Sequence, residues 1–291
     1  MTYEADAYSL GLAGREHRAA DAPVGAVHAT LCRKSRFMPG RLPRGGVLFG
    51  PIALLVIWQL ASLIGILPEK LLAAPTTAVA TFYDMIVEGT LAPHFFASAT
   101  RAYLGLGIGV ALGIALALAS GLSRVGEASI DALVQIKRAV PSLALIPLAI
   151  LWLGIGETMK IAIITTSVLV PVYINTHAGL RGIDLRYVEL ARTVGLSYRE
   201  FITRVALPGA LPGFFTGLRL AVTTCWTALV VLEQINTTEG VGYLMSRARD
   251  YGQTDVIVVG LAIYAVLGLT SDLTVRYFER RALSYRRVLG A

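Results

Sequence analysis

Two groups of residues in this chain have the types and spacing to do chemistry, and neither is a nucleophile set or a metal-ligand set. The first is four ionisable side chains in or beside long apolar runs: Arg101, Arg219, Glu233 and Asp272. Charge in a hydrocarbon setting is costly, so such groups face a bundle interior or an aqueous path. An arginine on a path suits an anion, which makes Arg101 and Arg219 candidate pathway residues. The competing reading is a structural or interfacial charge, its long side chain reaching toward the headgroups. The second group lies in residues 179–221, GLRGIDLRYVELARTVGLSYREFITRVALPGALPGFFTGLRLA. Asp184 can cap a short helix beginning near Leu185. That helix presents Tyr187, Leu190, Ala191 and Val194 on one face, and Gly195 ends it. Ser197 and Glu200 form an S-x-x-E box that starts a second helix, and Pro208 and Pro212 close the segment. An apolar helix face with no lipid to enter suits a groove on a soluble partner.

Other chemistry is thin. His94 and His177 are too isolated to bind a metal and read as helix-end or interfacial histidines. Cys32 and Cys225 lie far apart and read as free thiols. No lysine follows a glycine, so the phosphate-binding pattern G-x-x-x-x-G-K-[ST] is absent. Asn236-Thr237-Thr238 matches a glycosylation sequon by chance. The tract Asn236–Asp255 reads as an outer loop with an amphipathic VGYLMSRA stretch. Trp58, Trp152 and Trp226 suit interfacial anchoring and ordinary packing equally.

The elements that carry these residues follow from composition. Of 291 residues, 55% are hydrophobic and only 15% charged, with a mean hydropathy of +0.64. A soluble domain carries roughly a quarter charged residues. The composition excludes a disordered tail, a coiled coil and an ordinary cytosolic enzyme, and leaves an all-α polytopic membrane bundle. A spanning helix needs about 20 apolar residues. Gaps between charges give six tracts: 45–68, 102–123, 139–156, 161–180, 205–232 (interrupted by Arg219) and 256–271, the last continuing apolar past Asp272 to Val275. Prolines 208 and 212 leave part of the fifth at the interface. Gly105, Gly109 and Gly113, and again Gly209, Gly213 and Gly217, recur every four residues. This spacing lets helices approach closely in lipid, which suits bundle packing or, as the sharper alternative, a subunit interface.

With the N-terminus inside, segments 1–44, 124–138, 181–204 and 276–291 hold twenty of the 26 Lys and Arg, against four outside. Both termini are thus expected in the cytoplasm. This placement explains the +7 net charge, so a nucleic-acid partner has no support. Residues 1–44 mix acids and bases without the apolar core of a secretion signal and read as a flexible cytoplasmic extension. The transmembrane domain is expected over 45–280 and a short cytoplasmic tail over 281–291.

The loop at about 184–208 carries a resemblance. Glu189-Leu190-Ala191, three residues, Gly195, nine residues and then Val205-Ala206-Leu207-Pro208 resembles the EAA loop of ABC importer permeases, E-A-A-x3-G-x9-I-x-L-P. Leu190 and Val205 are the departures. Residues 141–161 and the GLRLA at 217–221 resemble the branch that carries nitrate, sulfonate, taurine and bicarbonate, and the similarity covers about residues 50–285. The resemblance implies the type I importer permease fold, two such subunits (a homodimer) forming the pathway in a bacterial inner membrane, and a small anionic solute. It implies a periplasmic or extracellular solute-binding protein and a separate cytoplasmic ATPase that binds the ATP and Mg, with no cofactor in this chain. It assigns ATPase coupling to Glu189, Ala191, Arg192, Gly195, Leu207 and Pro208, and no catalytic residue. The rival readings are a stand-alone secondary transporter, which would show paired mid-span acids and internal repeats, and a non-transporting membrane assembly subunit.

Overall fold

The computed structural model describes residues 46–235 and 237–284. The 1–44 extension, Cys32, Asn236 and residues 285–291 lie outside them. By contacts the chain divides into a unit ending at Val56 and one from Ile57 onward. The described part of the first is the start of helix α1 (Gly46–Leu63), with exposed Phe49, Ile52, Leu54 and Leu55.

The second unit continues with α2 (Pro75–Val87), α3 (Leu91–Gly121), α4 (Ala132–Ala139), α5 (Ile146–Leu153), α6 (Glu157–Arg181), α7 (Leu185–Thr193), α8 (Tyr198–Phe201), α9 (Leu207–Glu233), α10 (Val241–Asp250) and α11 (Thr254–Ala282). All regular structure in the described residues is helical. Helices α3, α6, α9 and α11 are long and apolar enough to cross a membrane. A π turn at Ile202–Ala206 joins α8 to α9, giving one 36-residue run, Tyr198–Glu233. The run continues through Pro208 and Pro212 without a break. Pro208 sits in the first turn of α9, directly after the π turn.

The third tract departs from the straight span expected over 139–156. It is a bent pair, Glu127–Ala139 and Ser142–Leu153, meeting at 88°. Val140 is extended and Pro141 follows it, and a residue before proline is driven out of the helical region. The first half is helical where a cytoplasmic segment was expected. It runs back along α6: Glu127 pairs with Arg181, and the Tyr173 hydroxyl bonds Asp131.

Helix α6 is the centre of the bundle, and both glycine series pack against it except Gly209, which meets Ile183 just past its end. A Cβ on Gly105 would lie 2.5 Å from Ile164 Cγ2, one on Gly109 2.8 Å from the Thr165 carbonyl, and one on Gly113 2.9 Å from Val172. From the other side, Gly213 approaches the Asn175 carbonyl and Gly217 would meet that of Pro171 at 2.7 Å. The stripes are thus used inside one chain. Ile164, Val168, Val172 and Tyr173 of α6 are fully buried, and Leu229 and Leu232 of α9 join them.

Candidate functional site

The loop between α6 and α9 folds as its local signals dictate. Asp184 Oδ1 accepts from the Arg186 amide at 2.9 Å and opens α7. The helix ends in a Schellman motif: the Leu196 amide donates to Ala191 O (2.9 Å) and the Gly195 amide to Arg192 O (3.1 Å). Gly195 takes φ +74°, a conformation cheap only for glycine. The Ser197–Glu200 capping box then forms in both directions, Ser197 N donating to Glu200 Oε2 at 3.0 Å and Glu200 N to Ser197 Oγ at 3.3 Å. The Tyr198 hydroxyl donates to Leu122 O at 3.1 Å, tying α8 to the end of α3. A small cluster of Leu180, Ala206 and Ala210, with Leu118, Ile183 and Phe201 against it, anchors the loop's base.

On this base α7 exposes Leu185, Tyr187, Leu190 and Val194. Ala191 differs from the expectation: it is 6% exposed and turned inward, so the presented face is Leu185, Tyr187, Leu190 and Val194. Glu189 is exposed, and Arg186 and Arg192 form no ion pair with it among the described residues. Its carboxylate is therefore open to an outside partner. Leu207 and Pro208 line a cavity of about 340 Å³ with Leu118, Thr203 and Phe214.

The two candidate pathway arginines belong to separate networks. Arg101 is 5% exposed. Its Nε and one terminal nitrogen reach Glu157 at 2.5 and 2.8 Å, and its other terminal nitrogen donates to Glu233 and to Glu239 O, each at 2.7 Å. Glu233, 1% exposed, also accepts from Ser98, from the Gly242 amide at 3.0 Å and from Tyr264 at 2.7 Å. The cluster joins α3, α6, α9, α10 and α11. Lys160, counted from sequence as an outer charge, is 3% exposed and bonds Glu157 at 2.9 Å. Arg219 instead pairs with Asp272 at 3.2 Å, and Arg276 holds the other oxygen at 2.6 Å, linking α9 to α11. His94 Nδ1 accepts from the Gly240 amide, and His177 stacks on Tyr173. Trp226 is buried and donates to Ser271, a packing role.

Two features escape a sequence reading. Helix α9 exposes Thr216, Thr223 and Thr227 at helical spacing, each hydroxyl donating to the carbonyl four residues back. The second is a cavity of about 400 Å³ at the break of the bent pair, bordered by Lys137, Arg138 and Ser142 and by parts of α6 and α9. The sole signal for it was Pro141 beside two cations at the tract's edge.

The chain matches the binding-protein-dependent transport system inner membrane component family over residues 109–284. It is 45% identical over 232 residues to the putative aliphatic sulfonates transport permease protein SsuC of Escherichia coli K12, covering 80% of this chain and 88% of that one. The protein of the same name in Bacillus subtilis 168 is 38% identical over 90% of this chain and 96% of its own. The taurine transport system permease protein TauC of E. coli K12 is 32% identical, over 78% and 85%. Among solved structures, an amino acid ABC transporter superposes with a TM-score of 0.54 at 20% identity, covering 69% of this chain and 98% of that one, which shows a shared fold.

Proposed function

Because the chain belongs to the binding-protein-dependent transport system inner membrane components, we propose that two copies of it form the path by which an ABC importer carries a small organosulfonate inward. It is the permease subunit of such an importer, an inner-membrane protein and not itself an enzyme. The family works with an ATPase and a solute-binding protein. In our reading the ATPase binds the ATP and Mg, both termini face the cytoplasm, and the binding protein meets the opposite side. The substrate class rests on the relatives, whose named cargoes, aliphatic sulfonates and taurine, share a sulfonate group.

The observation that carries the coupling role is α7, whose apolar face is exposed while both ends are fixed by caps. Such a helix moves as a rigid peg in a groove of the ATPase. Glu189 and Arg192 orient the peg, Ala191 seats it, Gly195 sets its angle to α8, and Leu207 and Pro208 pass the motion into α9. The test is reconstitution in proteoliposomes with ATPase and binding protein. ATP-dependent uptake of ethanesulfonate, with co-purification of the ATPase and a second copy of the chain, supports the assignment. Uptake by the lone chain driven by a proton gradient overturns it. Leu190→Glu is expected to reduce uptake more than tenfold while leaving membrane insertion and thermal stability near wild type; Gly195→Val is expected to reduce uptake as far, with local strain at φ +74° loosening the α7–α8 junction while the chain still inserts. Wild-type uptake by both sinks the coupling role.

A further inference from the structure

We infer that the cavity at the break of the bent helix pair binds the anionic head of the transported solute, with Lys137 as its cationic ligand. This inference rests on the permease reading above. Depth comes first. The segment from Glu127 runs back along α6 from Arg181, and its break at Val140–Ser142 faces Ser167, Pro171 and Asn175. At about 1.5 Å per residue these lie about 15 to 27 Å from the Glu157 end of a helix roughly 37 Å long. The break is therefore well inside the span, where interrupted helices build transporter sites.

Charge comes second. Among the described residues no carboxylate lies within 4.0 Å of Lys137 or of Arg138. This sets them apart from Arg101, Lys160 and Arg219, each of which has a carboxylate partner. Lys137 is half-buried, and its Nζ makes one bond, to Ser142 Oγ at 2.5 Å. An ammonium has three donors, so two remain for a ligand. Ser142, accepting from Lys137, keeps its own proton to donate. A cation inside a span without a counter-ion marks a functional site, and a sulfonate supplies the missing charge.

Shape comes third. The hydroxyls of Ser167 and Thr224 donate to Ile163 O and Leu220 O, and the Asn175 amide to Pro171 O. Both hydroxyls and one Asn175 N–H are thus turned into their own helices, and the second Asn175 N–H remains. The remaining wall is Val140, Val170, Ile174 and Leu220. The lining thus combines two cations with several apolar side chains, which fits an oxyanion with a short alkyl tail better than sulfate or nitrate. Its volume of about 400 Å³ lies within the range of small-ligand sites.

The experiment uses the full complex of permease, ATPase and binding protein in proteoliposomes, with ethanesulfonate and hexanesulfonate as probes. Lys137→Gln is expected to lower uptake of both at least tenfold, while ATPase co-purification, basal ATP hydrolysis and the unfolding midpoint stay at wild-type values. Lys137→Arg is expected to retain at least a third of the uptake. Leu220→Trp, on an exposed position of α9, is expected to reduce hexanesulfonate uptake at least fivefold more than ethanesulfonate uptake. Wild-type uptake by Lys137→Gln, or an equal loss in Lys137→Gln and Lys137→Arg, overturns the site. So does a Leu220→Trp variant that treats the two chain lengths alike. If the wild-type complex takes up no sulfonate at all, the substrate reading fails first, before any variant is compared.

Discussion

Replacing Arg101 by alanine is expected to lower the stability of the folded protein by roughly 3–5 kcal/mol, the cost of removing one partner of a buried ion pair. The reason is what stays behind. Glu233, 1% exposed, would keep Ser98, Tyr264 and the Gly242 amide but lose its counter-ion, and the Glu239 carbonyl would lose its donor. In a protein of this size the midpoint of thermal unfolding in detergent falls on the order of 10 °C. Arg101→Lys recovers only part of this, because one ammonium cannot reproduce a fork that serves two carboxylates and a carbonyl. Pairing Arg101→Met with Glu233→Leu is expected to be less damaging than the sum of the single changes, since no lone charge remains. An Arg101→Ala protein with an unchanged midpoint would show that the cluster is not a structural tie. Its place in transport would then need another account.

The second large effect is expected at Gly213. A side chain there is driven against the Asn175 carbonyl, with the Gly179 Cα 3.0 Å from the new Cβ. Backbone cannot step aside as a flexible side-chain end can, so Gly213→Val separates α6 from α9 along the crossing. Overpacking in an adaptable core costs about 1–3 kcal/mol, and here the cost lies at or above the top of that range. The readout is the yield of monodisperse protein and its unfolding midpoint. Gly107→Ala, where the new Cβ meets nothing within 4 Å, is the control. It is expected to be neutral or to gain about 0.5–1 kcal/mol, the usual helix advantage of alanine over glycine. Equal behaviour of the two variants would refute close backbone approach as the basis of this packing.

The sequence reading succeeds wherever the signal is local. The ends of α7, the Ser197–Glu200 box and the Gly195 stop each depend on residues within five positions of one another, and each forms. The four longest helices follow from apolar length with few charges. It fails where a charge is neutralised by a distant partner or by a cavity. Using charges as markers of the membrane edge assumes that every charge seeks water. Arg101 breaks that assumption through Glu157 and Glu233, 56 and 132 residues away. Lys137 breaks it differently: it precedes Arg138, the charge that bounds the third tract in the sequence, yet it borders a cavity shared with Ser167, Pro171 and Asn175 of α6. Pro141, beside it, marks the 88° bend, but a proline alone does not give an angle.

The glycine seams on either side of α6 also bear on how the protein is made. Of the apolar 18-residue stretches within the four long helices, that of α6 has the lowest mean hydropathy, 1.4 against 1.6 to 2.1, and α6 carries Thr165, Thr166, Ser167, Asn175 and Thr176 in mid-helix. Lipid alone is a poor host for it. In chain order α3 precedes α6, so when synthesis follows that order Gly105, Gly109 and Gly113 of α3 offer α6 a groove as it emerges. The opposite flank stays uncovered until α9 follows. Biogenesis of this chain therefore has a vulnerable interval, between the arrival of α6 and that of α9, when its central helix is held from one side only.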